Sequence, residues 1–399
     1  MAVGTANLEF SVVPGVRLAA VPCGIKTDNA LDLVLFEFAE GSTSAAVFTQ
    51  SSFAAAPVLV GRRHLTAASS RYLLINSGNA NAATGDEGIA DALTCCKALS
   101  QQAGVRPETV LPFSTGVIGE RLQVQNITDA FSAALPALAE DNWLQAAHGI
   151  MTTDTRPKIA SRQIEVNGKT VTLTGIAKGA GMIQPNMATM LAYAATDIAA
   201  DQAALQALLA KSVERSFNRI TVDSDTSTND SCTLTATGVS GVTLEEAGAA
   251  FEEALCDLMM ELAHGIVRDA EGATRFVEVR VEEGASETDC LDVAYAIANS
   301  PLMKTAIYAG DANWGRIVMA IGKSGVDLDI SKIDVYIGDV RLMQKGGKDP
   351  AYTEDAGTAA MAAEEIVIRV VLGAGEATES VWTSDLSHEY VRINAEYRT

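Results

Sequence analysis

Lys178-Gly-Ala-Gly-Met-Ile-Gln-Pro-Asn-Met-Ala-Thr-Met-Leu-Ala-Tyr193 runs a glycine-rich turn through Gln184-Pro185-Asn186 into an apolar, strand-like run that begins at Met187. Thr189 stands at the junction, a good place for an exposed nucleophile. A Thr hydroxyl needs a base beside it, and one economical base is the residue's own α-amino group. That amine exists only if the bond between Ala188 and Thr189 is cut. Its reference pKa of about 7.7 to 8.0 leaves an appreciable unprotonated fraction near neutral pH. The chain could make the group itself: the Thr189 hydroxyl attacks the Ala188 carbonyl, the acyl group shifts to an ester, and water hydrolyses it. The competing reading is an ordinary β-branched strand residue.

Working outward, Lys169-Thr-Val-Thr-Leu-Thr-Gly175 alternates with period two and predicts a strand, so two strands flank the turn. The segment before it, Thr152-Thr-Asp-Thr-Arg-Pro-Lys158, is polar. Downstream, Gln202 to Phe217 is helical, with Leu205, Leu208, Leu209 and Val213 on a core face. Asn218 to Ser231 is dense in carboxylates and hydroxyls. It lacks the sixth-position Gly and twelfth-position Glu of a calcium loop starting at Asp223, so it reads as a polar loop, and no metal is assigned.

Thr243-Leu-Glu-Glu246 is a capping box that opens a helix carrying Leu244, Phe251, Leu255, Leu258, Leu262 and Ile266. That helix ends at Asp269-Ala-Glu-Gly-Ala-Thr274, and Val277, Val279 and Val281 mark the strand that follows. Glu271 sits at this junction, a reacher into a site or a surface carboxylate. Asp289 to Ala298 predicts a helix, Lys304 to Arg316 a loop, and Asn313 a cap for a helix from Trp314 to Ile321. Val335 to Met343 predicts a hairpin through Gly338-Asp339, Thr353 to Ile366 a helix, and Val367 to Leu372 a strand. Ser380 to Thr399 continues as strand and then a polar end that would ordinarily fray.

Upstream, residues 8 to 60 read as strands and hairpins. Tyr72-Leu-Leu-Ile75 is a buried strand delivering the loop Asn76 to Gly85, and a helix runs from Asp86 towards Ala103. A phosphate loop would need a Gly-Lys-Ser/Thr ending, which is absent. Leu111-Pro-Phe-Ser-Thr-Gly-Val-Ile-Gly119 reads as a second small-residue loop, and Val124 to Ala139 as an amphipathic helix. The alternation of helices with many short strands indicates an α+β or layered α/β protein.

These segments together resemble the ornithine acetyltransferase family, the self-cleaving glutamate N-acetyltransferases of arginine biosynthesis. The resemblance rests on the Lys178 stretch and on six further matches in order: Asn76 to Gly85, Ser114 to Gly119, Thr152 to Thr155, Asp269 to Thr274, Gly310 to Arg316, and Asn394 to Thr399. It implies a layered, N-terminal-nucleophile-like α+β fold cut between Ala188 and Thr189 into an alpha chain, 1–188, and a beta chain, 189–399. It implies acetyl transfer from N2-acetylornithine to glutamate by a ping-pong cycle, without a cofactor. Thr189 would be the nucleophile, and Thr115 and Gly116 would stabilise the oxyanion. Thr155, Lys178, Thr189, Glu271, Asn394 and Thr399 would bind substrate. Lys178 can pair with a substrate carboxylate, and Glu271 or the Thr399 carboxylate with an ammonium. The family forms assemblies of both chains, which points to a heterotetramer of two alpha and two beta chains. Acetyl-CoA is a candidate second donor that no motif decides. Two other readings stay open on the residues alone: an aminopeptidase or amidase with water as acceptor, and a binding protein with an uncut chain.

Composition narrows the partners. The chain of 399 residues carries 29 basic against 50 acidic residues, a net charge of −21, with 48% hydrophobic residues. Such a field repels nucleic-acid backbones and anionic membranes. No stretch of 18 apolar residues appears, and the N-terminus does not read as a secretory signal. Six scattered cysteines and four dispersed histidines argue against a disulfide framework or zinc site and for reduced thiols in a cytoplasm.

Overall fold

The turn Asn167-Gly168 takes positive φ at both residues, 52° and 77°, which Asn and Gly tolerate and a two-residue hairpin needs. It joins Lys158–Val166 to Lys169–Lys178 in continuous antiparallel register, from Lys158 opposite Ala177 to Val166 opposite Lys169. The first of these strands follows the polar segment Thr152 to Lys158, in residues that the sequence reading left unassigned, and the Asn-Gly pair is the local signal that marks it. Lys169–Lys178 pairs in turn with Leu191–Thr196, Lys178 opposite Leu191. The computed structural model describes residues 2–184 and 190–396. Ala188, Thr189 and Thr399 therefore lie outside the described residues.

The chain forms two compact units, one built from 6–218 and 225–266, the other from 2–5, 219–224 and the described part of 267–397. Lys169–Lys178 and Leu191–Thr196 both belong to the first. The expected cut between Ala188 and Thr189 falls in the chain between these two strands of one unit and does not coincide with the boundary between units.

In the first unit, Val16–Val21, Leu33–Phe38, Tyr72–Asn79 and Val110–Val117 form a four-stranded sheet in that order, its last pair parallel. A five-stranded sheet runs Thr43–Phe48, Ser231–Ala236, Leu191–Thr196, Lys169–Lys178, Lys158–Val166. Strand alternation sorts the core: Val34 and Phe36 face one apolar cluster, Leu33 and Leu35 another. Phe36 and Phe113 from the first sheet meet Tyr193 of the second at ring distances of 5.7 and 5.1 Å. Each such aromatic contributes about 1.5–3 kcal/mol by burial.

Helices Gly85–Ala103 and Val124–Ala134 cover the outer face of the four-stranded sheet with Cys95, Cys96, Leu99 and Phe131. On the outer face of the other sheet, Leu258 and Leu262 of helix Leu244–Arg268 lie so close to Gly175 that a Cβ there would meet each at 3.1 Å. The helix–sheet–sheet–helix stack is the layered α+β architecture expected. The Thr243 capping box is present: Glu246 Oε2 accepts from the Thr243 N–H at 2.8 Å, and Thr243 Oγ1 accepts from the Glu246 N–H at 3.2 Å.

The second unit carries a seven-stranded sheet in the order Gly347–Lys348, Val340–Gln344, Asp334–Ile337, Glu365–Val371, Phe276–Gly284, Ala377–Ser384, Ile220–Thr221. Val277, Val279 and Val281 enter its core, as their spacing requires. The Gly338-Asp339 hairpin and the Asn313 cap form as expected, Asn313 Oδ1 accepting from the Arg316 N–H at 3.1 Å.

Several expectations are corrected. Ala56–Ala67 is a helix, started by Pro57 in its first turn, where the sequence suggested strands to residue 60. The expected loop from Lys304 begins inside the helix Pro301–Ala309, whose Ser300 cap accepts from the Met303 N–H at 3.4 Å. Thr353 to Ile366 divides into helix Glu354–Ala360 and strand Glu365–Val371. The tail is the helix His388–Glu396, laced by Arg392 to Glu389 and Glu396, one turn away on its face.

Candidate active site

Thr115 and Gly116, expected on a loop, end the strand Val110–Val117. The reason is pairing: Thr115 lies opposite Ser77 and Gly116 opposite Gly78 in the parallel ladder with Tyr72–Asn79. Gly116 has φ +133°, and a Cβ there would stand 2.3 Å from the Gly78 carbonyl carbon and 2.6 Å from the Asn79 nitrogen. Only glycine fits this approach. Gly116→Ala is accordingly expected to cost roughly 2–4 kcal/mol, from left-handed strain plus overpacking. Urea unfolding reads the cost; a loss under about 1 kcal/mol would show that the ladder can open at this point.

The asparagine-rich segment after Ile75 is a brace for this strand. Asn76 Oδ1 accepts from the Ser114 hydroxyl at 2.6 Å, and Asn76 Nδ2 donates to the Asn79 carbonyl at 2.8 Å. Asn229 Nδ2 donates to the carbonyls of Ala80 at 2.6 Å and Ser114 at 2.9 Å. Thr115 is thereby held, and Lys178 Nζ reaches its Oγ1 at 3.3 Å. Since Oγ1 accepts from Lys178, the Thr115 O–H remains to donate to an oxyanion.

Beneath Lys178 lies a buried ion pair. Asp154 Oδ1 accepts from Lys158 Nζ and, at 2.7 Å, from the Gly179 N–H; Oδ2 accepts from the Thr152 N–H at 2.9 Å. Both side chains are almost fully buried. Burial alone would push the Asp154 carboxyl up, but Lys158 and Lys178 together with these hydrogen bonds hold it well below the usual carboxylate range. Asp154 thus anchors Lys178 through its neighbour Gly179, while Thr155 beside it is exposed.

Asp225, Thr226 and Ser231 of the polar run after Asn218 bond to Gln184 and Met190. Upstream of Thr189 in the chain, the Gln184 N–H donates to the Asp225 carbonyl at 2.9 Å, and the Thr226 hydroxyl donates to the Gln184 carbonyl at 3.0 Å. Downstream of it, the Ser231 N–H donates to the Met190 carbonyl at 2.9 Å.

Glu271 and Asn394 belong to the second unit and are joined there: Asn394 Nδ2 donates to Glu271 Oε2 at 2.7 Å. Glu271 is 8% exposed and Asn394 is exposed. Its loop is fixed by Asp385, which accepts from the Thr274 N–H and hydroxyl at 2.7 Å each and from the Arg275 N–H at 2.9 Å. Near it Lys304 is fully buried, donating to Thr383 Oγ1 at 2.7 Å and to the Ser384 carbonyl, and burial lowers its pKa to about 8.

Of the expected residues, the structure joins Thr115, Gly116 and Lys178 in one cluster and Glu271 with Asn394 in another. Sequence reasoning gave no role to Asp154, Lys158 or Asn229, although all three touch segments that carried the resemblance. The one local signal was the i,i+4 spacing of Asp154 and Lys158.

A model described as the ArgJ family matches residues 17–399. The chain is 53% identical to the "Arginine biosynthesis bifunctional protein ArgJ" of Pseudomonas syringae pv. tomato, covering 100% of both chains. It is 52% identical to the protein of that name from Methylococcus capsulatus, over 98% of this chain and 97% of the relative. A crystal structure of the Arginine biosynthesis bifunctional protein from Bacillus halodurans, 41% identical, covers 50% of this chain and 96% of its own, with a TM-score of 0.48. Agreement at about half of all positions along the entire length leaves no segment unmatched, and the chain belongs to the ArgJ family.

Proposed function

We propose that the protein is a glutamate N-acetyltransferase of arginine biosynthesis, moving acetyl from N2-acetylornithine to glutamate through an acetyl-enzyme on Thr189. The observation that supports this reading is the contact of Lys178 Nζ with Thr115 Oγ1 at 3.3 Å, which joins two of the expected site residues. The family and the relatives' names supply the pathway.

Cleavage between Ala188 and Thr189 yields chains 1–188 and 189–399, and strand pairing across the cut keeps them together. The Thr189 hydroxyl attacks the acetyl carbonyl and its α-amine takes the proton. Thr115 O–H and Gly116 N–H donate to the oxyanion, and the amine returns the proton to departing ornithine. Glutamate reverses the steps. Lys178 pairs with a substrate carboxylate, while Thr155, Glu271, Asn394 and Thr399 complete binding, Asn394 orienting the Glu271 carboxylate for a substrate ammonium. The relatives are named bifunctional, which fits acetyl-CoA as a second donor. Native mass spectrometry reads the expected tetramer of two alpha and two beta chains. No helix among the described residues is long and apolar enough to cross a membrane, and six free cysteines fit a cytoplasmic setting.

The test is denatured intact mass followed by assay of acetylglutamate formed from acetylornithine and glutamate. Two fragments and stoichiometric acetylglutamate are expected; acetate release without acetylglutamate would make the protein a hydrolase instead. Within this assay Thr115→Val should lower kcat by about 10²-fold while leaving KM nearly unchanged, as loss of one oxyanion donor does. A change confined to KM would move Thr115 from transition-state stabilisation to substrate binding.

A further inference from the structure

Asp230 is 2% exposed, and its Oδ2 has no hydrogen-bond partner among the described residues. Buried carboxyl oxygens are nearly always bonded, so an orphan asks what partner is missing. The backbone around Asp230 is tightly fixed. Its carbonyl accepts from the Thr49 N–H at 2.8 Å, and the next residue, Ser231, donates its N–H to the Met190 carbonyl at 2.9 Å. Met190 is the covalent neighbour of Thr189. Burial pushes the Asp230 carboxyl well above the usual carboxylate range, with Ser227 and Lys178 pulling the other way. Asp230 therefore lies at the strand end where Lys178 also lies, opposite Leu191.

We propose that Asp230 is a positioning residue for the α-amino group liberated at Thr189, its Oδ2 accepting that group's hydrogen bond. The inference rests on the Thr189 reading above. In the intact chain residue 189 contributes only a peptide nitrogen; cleavage creates an amine that can become an ammonium, a partner fit for an orphan carboxyl oxygen. As Thr189 Oγ bonds to the acetyl carbon, its hydroxyl proton passes to the α-nitrogen and the carbonyl electron pair moves onto the oxygen held by Thr115 and Gly116. The ammonium donates to Asp230 meanwhile. When the carbon–nitrogen bond to ornithine breaks, that proton passes to the leaving nitrogen. Asp230 forms and breaks no covalent bond to substrate. Lys178 lowers the amine's proton affinity and Asp230 raises it, so the pair sets how strong a base the amine is.

Asp230→Asn, nearly isosteric and uncharged, tests this beside wild type. Denatured mass comes first, then the pH profile of kcat/KM and the pH dependence of Thr189 α-amine carbamylation by cyanate, which reads the amine directly. The expected result is retained cleavage, kcat/KM down about tenfold or more, and an amine pKa lowered by about one unit, shifting the acid limb downwards. An unshifted carbamylation curve with full turnover overturns the role of Asp230, as does a variant that stays uncut, which would place Asp230 in the cleavage step. A wild type that is itself uncut overturns the parent reading instead.

Discussion

Thr189→Ala is expected to leave one uncut chain and to lower acetyl transfer by roughly four orders of magnitude or more. The substitution removes both functions of the residue in a single step. Without Oγ no atom attacks the Ala188 carbonyl, so the α-amine is never released, and without either group no acetyl-enzyme forms. Thr189→Ser separates this from a folding defect, because it restores a hydroxyl at the same backbone position: it should cleave and turn over more slowly than wild type. Denatured mass, circular dichroism and the acetylglutamate assay on all three proteins check the expectation. A wild-type protein of full-length mass with undiminished transfer would remove the amine from the mechanism. An Ala variant that still transfers acetyl would remove the nucleophile.

Asp154→Ala should destabilise the protein by roughly 3–5 kcal/mol, the usual consequence of stranding one member of a buried ion pair. Lys158 would keep its charge at 4% exposure with its salt bridge gone. The N–H groups of Thr152 and Gly179 would lose their acceptor as well. Activity should fall with stability, since Gly179 follows Lys178 directly. The pH dependence has a definite sign. The folded carboxyl is held below its unfolded value of about 3.9, so its stabilisation is full well above that pH and is lost as pH falls through it towards the folded value. Urea midpoints measured from neutral to acid pH should therefore fall less steeply for Asp154→Ala than for wild type. Parallel acid limbs would show that the pair contributes nothing to pH-dependent stability.

What the chain reveals unaided follows a physical division. Period-two strands and capped helices were legible because their causes are local: Val277, Val279 and Val281 alternate, Thr243 and Glu246 cap each other, and Asn313 caps the helix from Trp314. The helix at Ala56 and the strand at Val110 were misread because small residues carry weak propensity, and there tertiary pairing decides. Lys304 was read as a loop residue because a functional-looking polar run hid a Ser-Pro helix start.

The site divides in the same way. The chemistry of the Lys178–Tyr193 stretch, the Thr115-Gly116 pair and the family they imply could be read from residues whose types and order are themselves the signal. Asp154 and Asn229 make their contacts by where the fold brings them, across gaps of 25 residues from Asp154 to Gly179 and 115 from Asn229 to Ser114. No local pattern encodes such a meeting. Sequence alone determined the layered α+β class and the family, because both follow from residue types, their order and short-range periodicity. Tertiary structure alone decided which buried polar groups brace Lys178 and Thr115, because burial and long-range hydrogen bonding exist only once the sheets have closed.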